Sequence, residues 1–131
     1  MGQTQVLLIA LIVIILGISI IVGIKIFEAN AANANLDAVI NDLLALSAQA
    51  QHYYLKPSAI GGGSLSFKNI TILHLTNKSS NQNGSYSVDA RQVNRVILRG
   101  EGKLDGDGDN KNCSVLLYVF ADSIAVNILQ R

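Results

Sequence analysis

The chain has 131 residues, and beyond an apolar start roughly 100 are left, enough for one small domain and no more. Ten basic against nine acidic residues give a net charge of +1, which excludes an electrostatic case for nucleic-acid binding. Cys113 is the only cysteine, so no intramolecular disulfide staples the fold.

The first element is a run of nineteen residues, Val6 to Ile24, without a charge. At ~1.5 Å per helical residue it is just long enough to cross the hydrocarbon of a bilayer. Water offers such a segment no resting place, so it must lie in lipid or among copies of itself. A cleavable secretory signal fits poorly. Ala29-Asn30-Ala31 and Ala32-Asn33-Ala34 look like cleavage sites, but the run exceeds an h-region of ~7–15 residues and nothing basic precedes it. A single-span anchor accounts for the length. Lys25 follows the span, which taken literally places the rest of the chain in the cytoplasm unless a basic leader has been removed.

From Lys25 to Leu55 the apolar period is helical. Ile26, Ala29, Leu36, Val39 or Ile40, Leu43, Leu46, Ala50 and Tyr53 recur at three- and four-residue steps, with Asn30, Asn33, Asn41, Gln49 and Gln51 between them. Lys56-Pro57 ends the pattern, because a residue before proline is pushed out of the helical region. One helix of roughly 50 residues, ~75 Å long, is predicted, its first half projecting beyond the globular body. Ser58 to Ser66 is a Gly-rich stretch that reads as a flexible connector; no Lys-Ser or Lys-Thr follows Gly63, so it is not a phosphate cradle.

Strand patterns follow. Phe67 to Thr76 comes first, then Tyr86-Ser87-Val88-Asp89-Ala90 after an Asn83-Gly84 turn signal. Arg91 to Gly100 is next, with Arg95 and Arg99 facing away from Val96 and Leu98. Ser114 to Phe120 is continuously apolar, as a central strand covered on both faces would be. Ala121-Asp122-Ser123 is short enough for a hairpin into Ile124 to Leu129, where Ile124, Val126 and Ile128 are expected to face inward. The fold class predicted is α+β, with four or five antiparallel strands packed on the second half of the helix. The chain divides into an apolar helix over 1–25 and a head over 26–131, itself made of the amphipathic half-helix 26–56, the connector 57–66 and the sheet 67–131.

That order, from about twenty apolar residues through an amphipathic half-helix to a small sheet, resembles the type IV pilin family. The tract Ala50-Gln51-His52-Tyr53-Tyr54-Leu55-Lys56-Pro57, followed by Gly61-Gly62-Gly63-Ser64 and Phe67, looks like the way some pilins end their long helix. The resemblance implies a subunit held in the inner membrane until a prepilin peptidase and the pilus assembly machinery build it into an extracellular homopolymer. It implies Met1 as the processed, methylated terminus and Gln5 in the place of the family's usual Glu. Val6, Leu7, Leu8, Leu11, Ile12, Ile15, Leu16 and Ile20 would pack the filament core. Gly17 and Gly23 would be the points where the assembled helix melts, since glycine costs ~1 kcal/mol in a helix and the family's proline is missing here. Gln5 is also compatible with a minor or tip pseudopilin of a secretion machine. A membrane-anchored binding domain is the alternative from another class.

Candidate chemistry is sparse. Asp105, Asp107 and Asp109 alternate with Gly106 and Gly108, so their oxygens can converge on one hard cation, Ca2+ being the natural choice. The loop is not an EF-hand, because Asn110 stands where that motif needs Gly and Leu116 where it needs Glu. A solvated acidic turn has the same composition. Pseudopilins, which are similar to pilins, carry a calcium site in a comparable loop. Asn69, Asn77, Asn83 and Asn112 open Asn-X-Ser/Thr tracts that would accept glycans on a surface filament, although polar turns supply such tracts freely. Asn112 is the weakest of these. His52 and His74 lack ligand or triad spacing and read as surface or packing residues, and Cys113 as a small buried hydrophobe. No nucleophile is placed beside a base, and an enzyme is not expected.

Overall fold

In the computed structural model, which describes residues 2–131, one helix (α1) runs unbroken from Gly2 to Leu55. Its 54 residues span about 81 Å. No proline occurs before Pro57, and the apolar half, rich in β-branched Ile and Val of middling helix propensity, still runs as unbroken helix through Gly17 and Gly23. The end falls where expected. The helix stops at Leu55, and the Lys56 N–H still donates to the His52 carbonyl at 3.0 Å.

The Gly-rich stretch after it is not the loose connector expected from composition. It curls back over the helix terminus, with Gly63 N–H donating to the Tyr53 carbonyl at 2.8 Å and Leu65 N–H to that of Tyr54 at 2.7 Å. These bonds satisfy carbonyls that a helix end leaves open. The approach is so close that a Cβ on Gly63 would stand 2.1 Å from the Ser66 carbonyl oxygen. Gly62 and Gly63 are there for proximity, and Gly61 for its left-handed backbone, φ 82°.

The expected first strand, Phe67 to Thr76, does not form. Phe67 and Ile70 both enter the core three residues apart, which a strand's alternation forbids and a turn permits. A four-residue helix (α2, Ile72–Leu75) follows, its start held by Thr71 N–H donating to His74 Nδ1 at 3.0 Å. The sheet therefore has four strands: β1 (Gly84–Arg91), β2 (Arg95–Gly102), β3 (Ser114–Phe120) and β4 (Ile124–Gln130). All neighbours are antiparallel, in the order β1-β2-β3-β4. Ala121-Asp122-Ser123 makes the hairpin expected of it, closed by Phe120 N–H donating to the Ser123 carbonyl at 2.9 Å.

The core lies between α1 and one face of β2 and β3. Leu36, Val39, Leu43, Leu46, Ala50 and Tyr53 of α1 meet Val96, Leu98, Val115, Leu117 and Val119, and Phe67, Ile70 and Leu75 complete the cluster. Gly100 lets the helix settle onto the sheet, for a Cβ there would be 2.7 Å from Val39 Cγ1. Arg95 and Arg99 occupy the opposite face as predicted, and Arg99 Nε pairs with Asp89 at 3.1 Å.

Three burial expectations are corrected. The buried stripe of α1 begins at Ala32, because Ile26 and Ala29 lie beyond the sheet and are exposed. β3 is covered on one face only: Leu116 is shielded by its neighbours within the sheet, Tyr118 is half-buried, and no second layer lies over them among the described residues. Ile124, Val126 and Ile128 do point to the helix side of the sheet, yet they are 39%, 46% and 38% exposed, because α1 packs on β2 and β3 and does not reach β4.

Candidate assembly surface and acidic loop

The most unusual surface is the first half of α1. Val6, Leu7, Leu8, Leu11, Ile12, Ile15, Leu16 and Ile20 are all exposed, and among the described residues nothing buries the apolar span. By length and composition this helix is able to cross a membrane. Ser19, the hydroxyl within the run, donates to the Ile15 carbonyl at 2.7 Å, so it brings no unsatisfied polar group into an apolar surrounding. Gln5 stands exposed on the first turns, and Met1 lies outside the described residues. The helix is continuous through Gly17 and Gly23, each of which leaves open space where a Cβ would be. They form two shallow notches along the rod.

The head is fastened to the helix by two side chains the sequence did not single out. Asp42, on a flank of α1, accepts through Oδ2 from Asn81 Nδ2 at 2.8 Å, Asn83 Nδ2 at 2.9 Å and the Tyr86 hydroxyl. Partial burial pushes its carboxyl up, and the hydrogen bonds from Asn83, Tyr86 and Asn81 more than offset that and hold it below the ordinary value. Tyr86 moves the other way: burial and then its bond to Asp42 raise the phenol far above its usual range. Asn35, nearly two turns earlier, donates through Nδ2 to the Asn83 carbonyl at 2.8 Å and accepts through Oδ1 from Lys103 N–H at 2.9 Å. Both residues fall between core positions, where polar side chains usually face water. The available signal was the cluster Asn81, Asn83 and Tyr86, three donors in six residues needing an acceptor from elsewhere in the chain.

The acidic loop brings its carboxylates together. One oxygen from each of Asp105, Asp107 and Asp109 lies within 4.8 Å of the others. The carboxylates also organise the turn, since Asp105 accepts from the N–H groups of Gly108 at 2.8 Å, Asn110 at 2.7 Å and Asp107 at 3.1 Å. The Gly108 N–H is the largest reason the Asp105 carboxyl sits below its ordinary value. At Asp107 the Asp109 N–H acts in the same direction, but slight desolvation and the adjoining carboxylates outweigh it and push this group up. Gln130 Nε2 donates to Asp109, tying the loop to the end of β4. Three carboxylates suit a hard divalent ion, with further oxygens needed from backbone, Asn or water to reach the six to eight that Ca2+ takes.

The remaining candidates scatter. Asn69 and Asn77 are exposed, whereas Asn83 is half-buried with its amide nitrogen committed to Asp42 and its carbonyl to Asn35. His52 is exposed, and the exposed His74 ring lies against Tyr53 with centroids 4.9 Å apart. Cys113 is buried, and that burial pushes its thiol up, away from reactivity. No protein-family model matches the chain, and neither a curated protein nor a solved structure matches it significantly. What is established is an α+β architecture of the pilin-like kind, a long N-terminal helix packed through its second half on a four-stranded antiparallel sheet.

Proposed function

We propose that the chain is the major structural subunit of an extracellular filament of the type IV pilus kind. The observation that carries this is the single helix whose first half, uncharged from Val6 to Ile24, finds no cover among the described residues while its second half is a core element of the head. Before assembly the exposed half rests in the inner membrane. After processing by a prepilin peptidase the assembly machinery moves it from lipid into a bundle of like helices. Lipid and helix bundle are similarly apolar, so the transfer has little hydrophobic cost, and close van der Waals fit holds the product, aided by the notches at Gly17 and Gly23. Contacts of this sort are heterologous and do not close, so a fibre results. Leu11→Asp or Ile15→Asp should abolish filaments in electron micrographs of sheared cell surfaces, and normal filaments in both would end the proposal.

Gln5 favours a second reading, a minor or tip subunit, because it lacks the charge that would pair with a neighbour's terminal amine. Abundance separates the two: a major subunit dominates the sheared fraction, and a tip subunit is a trace component. A membrane-anchored binding domain would instead stay monomeric in detergent, with Met1 carrying neither a methyl group nor evidence of a removed leader in its mass spectrum. The loop at Asp105, Asp107 and Asp109 we propose as a Ca2+ site that would stiffen the head.

A further inference from the structure

Four tracts of the chain have the Asn-X-Ser/Thr form that accepts an N-linked glycan, and the fold treats them differently. Transfer asks more than an exposed asparagine. The amide nitrogen must be free to react, and the hydroxyl two residues on must enter the transferase with it. A tract pinned by core packing or strand pairing meets neither need.

Asn69-Ile70-Thr71 fails at its middle and its end. Ile70 is fully buried in the core, and the Thr71 hydroxyl is engaged with His74 Nδ1 at 2.9 Å. Asn83-Gly84-Ser85 fails at its start, because the Asn83 amide nitrogen donates to Asp42 at 2.9 Å. Its other two residues lie in β1, paired with Gly102 and Glu101 of β2. Asn112-Cys113-Ser114 leads into β3, with Cys113 buried and Ser114 paired to Glu101 and Gln130.

Asn77-Lys78-Ser79 differs at every point. All three residues are exposed, in an irregular segment between α2 and β1. Among the described residues no hydrogen bond engages the Asn77 amide nitrogen or the Ser79 hydroxyl. The Thr76 hydroxyl shapes the turn instead, accepting from the Lys78 N–H at 3.2 Å and donating to the Lys78 carbonyl at 3.1 Å. The Ser79 carbonyl accepts from the Tyr86 N–H at 2.6 Å, which anchors the end of the tract without using either reacting group.

We propose that Asn77 carries an N-linked glycan, and that it alone of the four asparagines is modified. This rests on that part of the filament reading which puts the head outside the cell membrane. The donor class is an oligosaccharide joined through its anomeric carbon to a lipid diphosphate, and a membrane-bound oligosaccharyl transferase supplies the catalysis. The Asn77 amide nitrogen bonds to the anomeric carbon and gives up one proton. The bond from that carbon to the diphosphate oxygen breaks, and the lipid diphosphate leaves with the electron pair. The site is also clear of the rod. The tract follows α2, whose His74 ring centroid lies 4.9 Å from that of Tyr53, near the far end of α1. Tyr53 is about 43 Å along the helix from Ile24, so a glycan there leaves the charge-free run open to lipid or to other copies.

The test is peptide mass spectrometry of the full-length subunit, purified from its own cells both in membranes and in sheared filaments. The expected result is a sugar mass on Asn77 and none on Asn69, Asn83 or Asn112. Asn77→Gln and Ser79→Ala should each abolish it, the second with the asparagine still present. Neither should move the melting temperature of the head, because both side chains are exposed. Asn69→Gln should leave the sugar in place. Sugar on Asn69, Asn83 or Asn112 overturns the proposal, since accessibility in the folded head would then not select the site. An unmodified subunit overturns it as well: if that subunit still builds filaments the filament reading stands, and if it builds none both fall. A glycan on Asn77 of a chain that never polymerises upholds this proposal and ends the filament one.

Discussion

The two halves of α1, one charge-free and one amphipathic, both carry leucines, and those leucines have opposite fates. Leu43 and Leu11 are both leucines in one continuous helix, and only Leu43 is buried. The difference lies in what the rest of the chain supplies: a sheet stands beside residues 32–55, and among the described residues no part of the head covers the run before Lys25. Apolar composition thus creates a demand for burial and does not say who meets it. For the second half the sheet answers, and for the first half the answer lies outside the described residues, in lipid or other copies if the proposed function holds.

That contrast can be broken most violently in the exposed half. A carboxylate at Leu11 or Ile15 should eliminate polymer altogether while leaving the melting temperature of the head unchanged, a pair of readouts obtained from micrographs and from circular dichroism in detergent. A milder comparison uses the same truncation twice. Leu43→Ala removes a fully buried side chain and should cost about 2–5 kcal/mol in denaturant titration. Leu11→Ala should change the same quantity by less than about 0.5 kcal/mol, because no core surrounds it. Equal losses at both sites would mean that the rod is packed against something in the isolated subunit.

Next in size is the fastening between halves. Asp42→Ala strands three donors at once and should cost about 1–3 kcal/mol. The pH dependence follows from the two shifts. The Asp42 carboxyl is lowered from 3.8, so its contribution is complete above that value and is lost as pH falls through the lower folded one. The Tyr86 phenol is raised from 10.0, so its contribution is complete below pH 10.0 and fades as pH climbs beyond it. Melting curves from acid to alkali should therefore droop at both ends, and Asp42→Ala should remove its share of the acid limb and lessen the alkaline one, which burial of Tyr86 still sustains. The smallest effect belongs to the acidic loop. Ca2+ at ten times its dissociation constant should stabilise the head by about 1.4 kcal/mol, and Asp105→Asn with Asp107→Asn should erase that gain. No shift in the wild-type melting temperature with added Ca2+ would reduce the loop to a turn.

Much of the framework was legible because it is written in periodicity. The helix end before Pro57, the strands from Tyr86 and over 114–120, the hairpin at Ala121-Asp122-Ser123 and the outward Arg95 and Arg99 all follow from local pattern and steric rule. What misled was burial that depends on a neighbour's width. Ile124, Val126 and Ile128 alternate as an inward face should, and nothing local reveals that α1 is too narrow to cover them. Phe67 to Thr76 has strand-like composition, but Phe67 and Ile70 are both claimed by the core, and a turn satisfies that where a strand does not. The convergence of Asp105, Asp107 and Asp109 was readable from spacing and glycine content. The roles of Asp42 and Asn35 were not, because their partners lie more than 35 residues away along the chain.

One consequence of the unbroken helix concerns angle. Between Ile24 and Ala32 there is no hinge, so the orientation of the head about the long axis is set by residue count alone. Inserting a single alanine there would swing the head by about 100° and lift it ~1.5 Å, whereas a seven-residue insertion would return it nearly to its starting azimuth. The spacer thus behaves as a phase dial, and in the proposed fibre it would set the pitch at which successive heads wind, from a stretch that lies outside the head's core.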